Sequence, residues 1–210
     1  MKEMYRRILM GATGILLLGV CVAMLNESGL GTDPFTVFIR GIASVFHTTY
    51  GVIYPIVILI FLVGVFLVDR HFIGIATVLN LFLVGTVCDL TNRFVFEHID
   101  TSGMGQRILL LTIALVVLCF ASSLYIVADL GVSSYDAISL IMAEKKVGQY
   151  RYCRIATDVT CCIVGGLLGF LMHKGTNLGV GTIITAFCMG PLTQFFIKKV
   201  SNRLRYGKKQ

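Results

Sequence analysis

Charge is what this chain has least of. Asp, Glu, Lys and Arg supply 14% of its 210 residues while 56% are hydrophobic, too little polar surface to coat a water-soluble globule of this size. Strand-length alternation of apolar and polar residues is lacking too, which excludes a transmembrane β-barrel. No G-x-x-x-x-G-K-[ST] phosphate loop, H-E-x-x-H or G-x-S-x-G occurs. ATP therefore has no motif through which to drive this chain directly, and neither an enzyme nor a cofactor is expected. The seven cysteines (21, 88, 119, 153, 161, 162 and 188) are odd in number and lack C-x-x-C spacing, so they read as small apolar fillers. His47, His71, His98 and His173 are scattered, and no metal site is expected.

What the chain has is long apolar runs. Residues 8–25, 50–68, 73–88, 108–128 and 178–197 are free of charge, and 155–172 contains only Asp158. A helix rising ~1.5 Å per residue needs about 20 such residues to cross a ~30 Å hydrocarbon layer. Backbone groups in lipid must pair within their own segment, so runs this long become helices. The expected fold is an all-α membrane protein of six transmembrane helices, one domain over residues 1–210.

The formal net charge of +7 follows topology and not one face, so no nucleic-acid partner is expected. With a cytoplasmic N-terminus only Arg40, Arg93, Arg107 and Lys174, of eighteen Lys and Arg, face outward. The positive-inside rule thus places both termini in the cytoplasm, the basic tail with Lys208 and Lys209 included. That tail is also suited to anionic lipid headgroups. The opening "MKEMYRR" resembles the start of a secretory signal, but the apolar stretch after it is longer than a signal core and lacks a small-x-small site, so it is read as a span.

The sequence also repeats. "RILMGATGILLLG" from Arg7 aligns with "RILLLTIALVVLC" from Arg107, and the same offset superposes "LGTDPF" on "LGVSSY". Further on, "GIATVLNLFLVG" (74–85) matches "GVGTIITAFCMG" (179–190) at Gly, Thr, Phe and Gly. Residues 7–92 and 107–197 thus form two halves of three spans each. An odd number of crossings starts the second half on the opposite side, so the arrangement expected is a 3+3 inverted repeat, of the kind secondary transporters build around a midplane site.

Each half has a glycine-rich loop after its first span. "GLGTDPFTVFIRGIASVFH" reads as a loop, Thr32 or Asp33 as N-cap, Pro34 in first helical position and about a dozen mostly apolar residues. Its counterpart has Gly131, then Ser133 or Ser134 as cap, and closes on Glu144, Lys145 and Lys146. The 33–47 and 134–146 segments are too short to span. Each is expected as a re-entrant half-helix or as an interfacial helix, the re-entrant form being preferred. Irregular backbone at depth is tolerated only where it is buried in protein or lines a wet cavity, and the freed N–H groups of a half-helix make a ready ligand site.

Gly31, Thr32, Asp33, Gly131, Ser133, Ser134 and Asp136 are therefore the candidate substrate-binding residues. Asp33 and Asp136 read either as caps alone or as caps that also contact a ligand. Two carboxylates at one cavity favour a cation, an amine or a coupling proton; the N–H groups beside them favour an anion, so an amphoteric solute also fits. Asp158 and Asp89 are candidates for ion coupling, although Arg154 and Arg93 stand at i−4 and i+4, where each invites a structural pair. Glu27 and Asp129 read as solvated. Thr77 and Thr182, with Asn80 and Thr185, either pack or line the cavity. Gly165, Gly166 and Gly169 carry a small-xxx-small pattern that suits helix packing within the bundle or a homodimer seam.

"SGLGTDPF", "LGVSSYDAI" and "GVGTIITAFCMGP" occur in that order across essentially the whole chain, which resembles the YczE/YitT-type group of small bacterial integral membrane proteins. The resemblance implies a bacterial cell membrane; it assigns no site residue. The leading expectation is a small secondary transporter or exporter of a small polar or charged solute. A substrate-binding subunit served by a separate ATPase module, or a non-transporting membrane scaffold, are the alternatives.

Overall fold

The computed structural model describes residues 2–98, 103–173 and 178–206; Lys174, Lys208 and Lys209 of the charge count lie outside them. Among the described residues there is no strand. Eight helices of eleven residues or more follow one another: α1 (Lys2–Ser28), α2 (Pro34–Val45), α3 (Tyr50–Val68), α4 (Ile75–Phe94), α5 (Met104–Ala128), α6 (Ser134–Glu144), α7 (Tyr150–Leu171) and α8 (Val180–Phe196). The last continues through a π-helical turn, Ile197–Ser201, into Asn202–Tyr206.

Six of these, α1, α3, α4, α5, α7 and α8, are long and apolar enough to cross a bilayer. Their outward side chains are large and apolar: Leu67, Ile75, Phe170 and Val180 are each at least 70% exposed. In water that surface would be a liability; against acyl chains it is at home. The outer surface therefore contacts lipid.

At the centre α1 and α5 run antiparallel. Gly11 meets Ala128 and Gly14 meets Ala121 and Tyr125, with a Cβ at Gly14 falling 2.9 Å from the Ala121 carbonyl oxygen, while Cys21 and Leu25 pack with Leu111, Leu115 and Leu118. At one end of this pair Asp129 is an ion-pair hub, reached by Arg7 at 3.1 Å, Arg205 at 3.2 Å and His71 at 3.0 Å. The expectation that Asp129 is simply solvated is corrected here. The unpaired carbonyls closing α5 draw the same cations, Arg7 Nε donating to Ala128 O at 2.8 Å and Arg205 to Val127 O at 2.6 Å. Arg6 also donates to the carbonyls of Leu204 and Arg205, so the two terminal segments sit side by side.

The glycine loops dock crosswise. The Leu30 carbonyl accepts from Gly181 N–H at 2.9 Å, at the start of α8, and the Leu130 carbonyl accepts from Ala76 N–H at 3.0 Å, at the start of α4. Gly31 (φ +133°) and Gly131 (φ +102°) turn the chain there, in backbone that a side chain disfavours. A Cβ would stand 2.6 Å from Thr182 Oγ1 at Gly31 and 2.7 Å from Thr77 Oγ1 at Gly131. Thr77 accepts from Gly74 N–H at 3.1 Å and donates to Val132 O at 2.8 Å, while Thr182 accepts from Gly179 N–H at 3.3 Å. Thr77 thus clamps the loop at Val132 onto α4, while Thr182 closes the start of α8 on which the Leu30 carbonyl docks.

Helix α2 lies against α7, where neither Gly41 nor Gly165 has space for a Cβ because each meets the other helix's backbone. Gly165 is thus used inside the bundle.

Candidate functional site

The two short helices begin alike. Asp33 caps α2, its Oδ1 accepting from Thr36 N–H at 3.0 Å and its Oδ2 from the Thr36 hydroxyl at 2.6 Å, with Pro34 in first position. Ser133 caps α6, accepting from Asp136 N–H at 3.4 Å. Of the alternatives left open by sequence, then, Asp33 and Ser133 are the caps. Thr32 Oγ1 is buried with no hydrogen-bond partner among the described residues, and the Ser134 hydroxyl donates to Ile58 O at 3.4 Å.

One residue beyond Pro34 and Ser134, the two helices touch. The rings of Phe35 and Tyr135 stack at 4.6 Å between centroids, 23° apart in plane, a favourable aromatic geometry. The Tyr135 hydroxyl donates to Asp158. Arg154 donates through Nε to Asp158 Oδ2 at 3.2 Å and through Nη1 to Asp136, and lies 4.5 Å from the Tyr135 ring centre. Asp158 is wholly buried and Arg154 is 5% exposed. A charge withdrawn from water this far persists only when paired and hydrogen-bonded. Each carboxylate accepts from a different N–H group on the edge of one guanidinium, which lies over the Tyr135 ring.

Around this contact lies a cavity of about 560 Å³, within the range of small-molecule sites. Asp33 at the cap of α2 with Thr36 and Arg40 of that helix, Tyr50 and Tyr54 of α3, Asn80, Asp89 and Asn92 of α4, Ser133 with Tyr135 and Asp136 at the start of α6, and Arg154 all line it. Three carboxylates face two guanidinium groups, with Asp158 behind Arg154, so the lining is formally negative.

The structure thus brings Asp33, Ser133, Asp136 and Asp89 to one cavity. The remaining candidates lie elsewhere. Gly31 and Thr32 line a separate pocket of about 230 Å³ with Leu178 and Gly179, Ser134 lines one of about 70 Å³ with Thr77, and Gly131 is pressed against Gly74. Asp158 reaches the cavity only through Arg154 and Tyr135. It also sits deeper in its helix than the apolar run implies, because α7 starts at Tyr150 and not Ile155; arginine is a good helix former, so the helix runs on through Arg151 and Arg154 beyond the apolar run. The pairing expected between Asp89 and Arg93 is absent among the described residues: Arg93 lies 5.9 Å over the Phe94 ring, and Asp89 lines the cavity. No group of three or more His, Cys, Asp or Glu among the described residues is placed to hold a metal.

Sequence reasoning passed over Phe35, Tyr135, Arg40, Tyr50 and Tyr54. A signal existed for the first two, aromatics at equivalent places directly after the helix starts. The two tyrosines gave none, since their place on the cavity depends on how α3 leans.

Six apolar spans with two short helices meeting at a polar cavity define a polytopic α-helical membrane protein. The chain belongs to a family of unknown function (DUF6198), whose model matches residues 5–198. Among its relatives are an uncharacterized protein of Haemophilus influenzae, 23% identical over 202 residues (94% of this chain, 86% of the relative), and the uncharacterized membrane protein YczE of Bacillus subtilis, 25% identical over 196 residues (92% and 86%). Bacillus subtilis YyaS is 23% identical over 197 residues (94% and 92%). No solved structure matches.

Proposed function

We propose that this chain is a small secondary transporter or exporter of a small polar or charged solute, and no enzyme. Its single domain, 1–210, is an inverted repeat of residues 7–92 and 107–197 in a bacterial cell membrane with both termini cytoplasmic. The solute binds in the 560 Å³ cavity, where Asp33, Ser133 and Asp136 present the cap chemistry of two half-helices. The observation that carries this reading is the Phe35–Tyr135 stack, which joins the first turns of two short helices at a polar cavity walled by spans of both halves. Their re-entrant form is part of this proposal and rests on the meeting of the two helix starts at Phe35 and Tyr135; α6 is held to α7 by Tyr135 on Asp158 and by Ser139 on Thr157 at 3.0 Å. Crosswise docking of the loops, Leu30 to Gly181 and Leu130 to Ala76, is what an inverted repeat entails, and the joined termini at the Arg7–Asp129 end suit a common basic face.

The test is flux through the purified chain alone in liposomes, with a trapped pH dye and a panel of amines, amino acids and carboxylates offered outside. A proton-coupled or solute-dependent signal is expected. Asp33→Asn and Asp136→Asn should each lower it about tenfold or more, since a lost hydrogen bond to a charged group costs roughly 1.5–3 kcal/mol. No flux from the lone chain, with copurification of an ATPase module, would instead establish a capture subunit. Normal cellular activity in both variants would leave a scaffold.

A further inference from the structure

The two halves are closed to different degrees. At the start of α7, Arg151 N–H donates to Gln194 Oε1 of α8 at 3.3 Å, and Gly190 sits so close that a Cβ there would lie 2.5 Å from the Arg151 carbonyl oxygen. That junction is sealed. The repeat makes Gly85 the equivalent of Gly190, Asp89 of Gln194 and Gly51 of Arg151, with α3 and α7 both beginning at a tyrosine, Tyr50 and Tyr150. At this second junction no described residue comes within 4 Å of a Cβ at Gly51 or Gly85, and α3 scarcely touches α4. Tyr50, Gly85 and Asp89 line the cavity instead, and Asp89 accepts no hydrogen bond from a described residue.

We infer that the gap between α3 and α4 is a gate standing open, and that Asp89 is its latch: on closure Gly85 seats against the backbone of Gly51 while the Asp89 carboxylate accepts from the Gly51 N–H at the start of α3. The inference rests on the transporter reading. Three features make the closure physically sound. A carboxylate at a helix N-terminus is a better acceptor than the glutamine that does this in the other half. Two glycines leave the helices free to approach as closely as Gly190 and Arg151 do. Pro55, four residues beyond Gly51 within α3, has no N–H for the Gly51 carbonyl, so the turn bearing Tyr50 and Gly51 is the softest part of that helix. Closing α3 on α4 seals the Tyr50 end of the cavity, and the matching parting of α7 from α8 opens the other.

Cross-linking tests this in a chain whose seven native cysteines are alanine, reconstituted in liposomes and oxidised with copper phenanthroline. Arg151→Cys with Gln194→Cys reports the sealed junction, and Gly51→Cys with Asp89→Cys the open one; a disulfide needs Cα atoms within about 7 Å. Both pairs are expected to cross-link. Adding Gly85→Val, which fills space now empty, should abolish the Gly51/Asp89 product and spare the other. Spin labels at Val52→Cys and Leu90→Cys supply a measurement free of disulfides, in which two distance populations are expected. A Gly51/Asp89 pair that never cross-links while the control does, indifference to Gly85→Val, or a single label distance would each overturn the gate. With flux read in the chain that keeps Gly51 and Asp89, cross-linking of the cysteine pair but no flux of any solute in that chain would keep the gate and remove the transporter; flux in that chain without cross-linking of the pair would do the reverse.

Discussion

Arg154 holds three groups at once, Asp136, Asp158 and the face of Tyr135. Taking it away strands Asp158 where no solvent reaches and leaves Asp136 unpaired on the cavity wall. Arg154→Leu should destabilise the fold by roughly 3–5 kcal/mol, and Arg154→Leu combined with Asp136→Asn and Asp158→Leu should recover much of that, because apolar groups replace a buried ion pair well. Thermal unfolding in mild detergent measures both; a single variant as stable as the parent would mean the cluster is hydrated. Tyr135→Phe removes only the hydroxyl that Asp158 accepts from, and a loss of about 1–3 kcal/mol is expected with the ring stack preserved. At this scale the sequence was half legible. Arg154 and Asp158 announce themselves by helical spacing, four apart on one face. The link from Arg154 to Asp136 crosses between two helices and has no local signature, and for the same reason Asp129 gives no sign in sequence of gathering Arg7, Arg205 and His71.

Among the elements, the two loop-to-helix clamps are the joints that fix where α2 and α6 start. Gly179→Ala would push a Cβ into the Leu30 carbonyl and Gly74→Ala into that of Leu130. Each should cost at least about 1–3 kcal/mol through overpacking, whereas Gly64→Ala, in open space on α3, should be neutral or slightly stabilising. The fraction of monodisperse protein after heating separates these cases, and equal behaviour of all three would contradict the clamp. Thr77→Val keeps the shape and loses a donor to Val132 and an acceptor for Gly74, for a predicted loss of about 1–2 kcal/mol. Short helices at 34–45 and 134–144 were readable from caps, proline and length, since those signals are local. The start of α7 was misplaced because charged residues end an apolar run by composition, while arginine is a good helix former and does not end the helix. Asp89 looked toward Arg93 for a similar reason: spacing lists the neighbours a side chain can reach, and the packing of α4 against α1 and away from α3 decides which way it faces.

For the molecule as a whole, scarcity of charge and six long apolar runs were enough to give the class, because the bilayer admits few solutions to the backbone hydrogen-bond problem. The cavity was not readable in outline. Its walls come from helices far apart in sequence, and its shape follows from α3 and α4 standing apart while α7 and α8 pack together. The central claim is that water and solute enter this space deep between the spans. Asn80, sixth residue of α4, lines the cavity, while Phe82, two residues on and 67% exposed, faces outward from the same helix. In a chain without native cysteines, intact cells carrying Asn80→Cys or Phe82→Cys can be treated with a membrane-impermeant maleimide. Labelling of the cysteine at 80 with none at 82 is the predicted result; no labelling at either, or labelling at 82 alone, would contradict a solvent-filled cavity between the two halves.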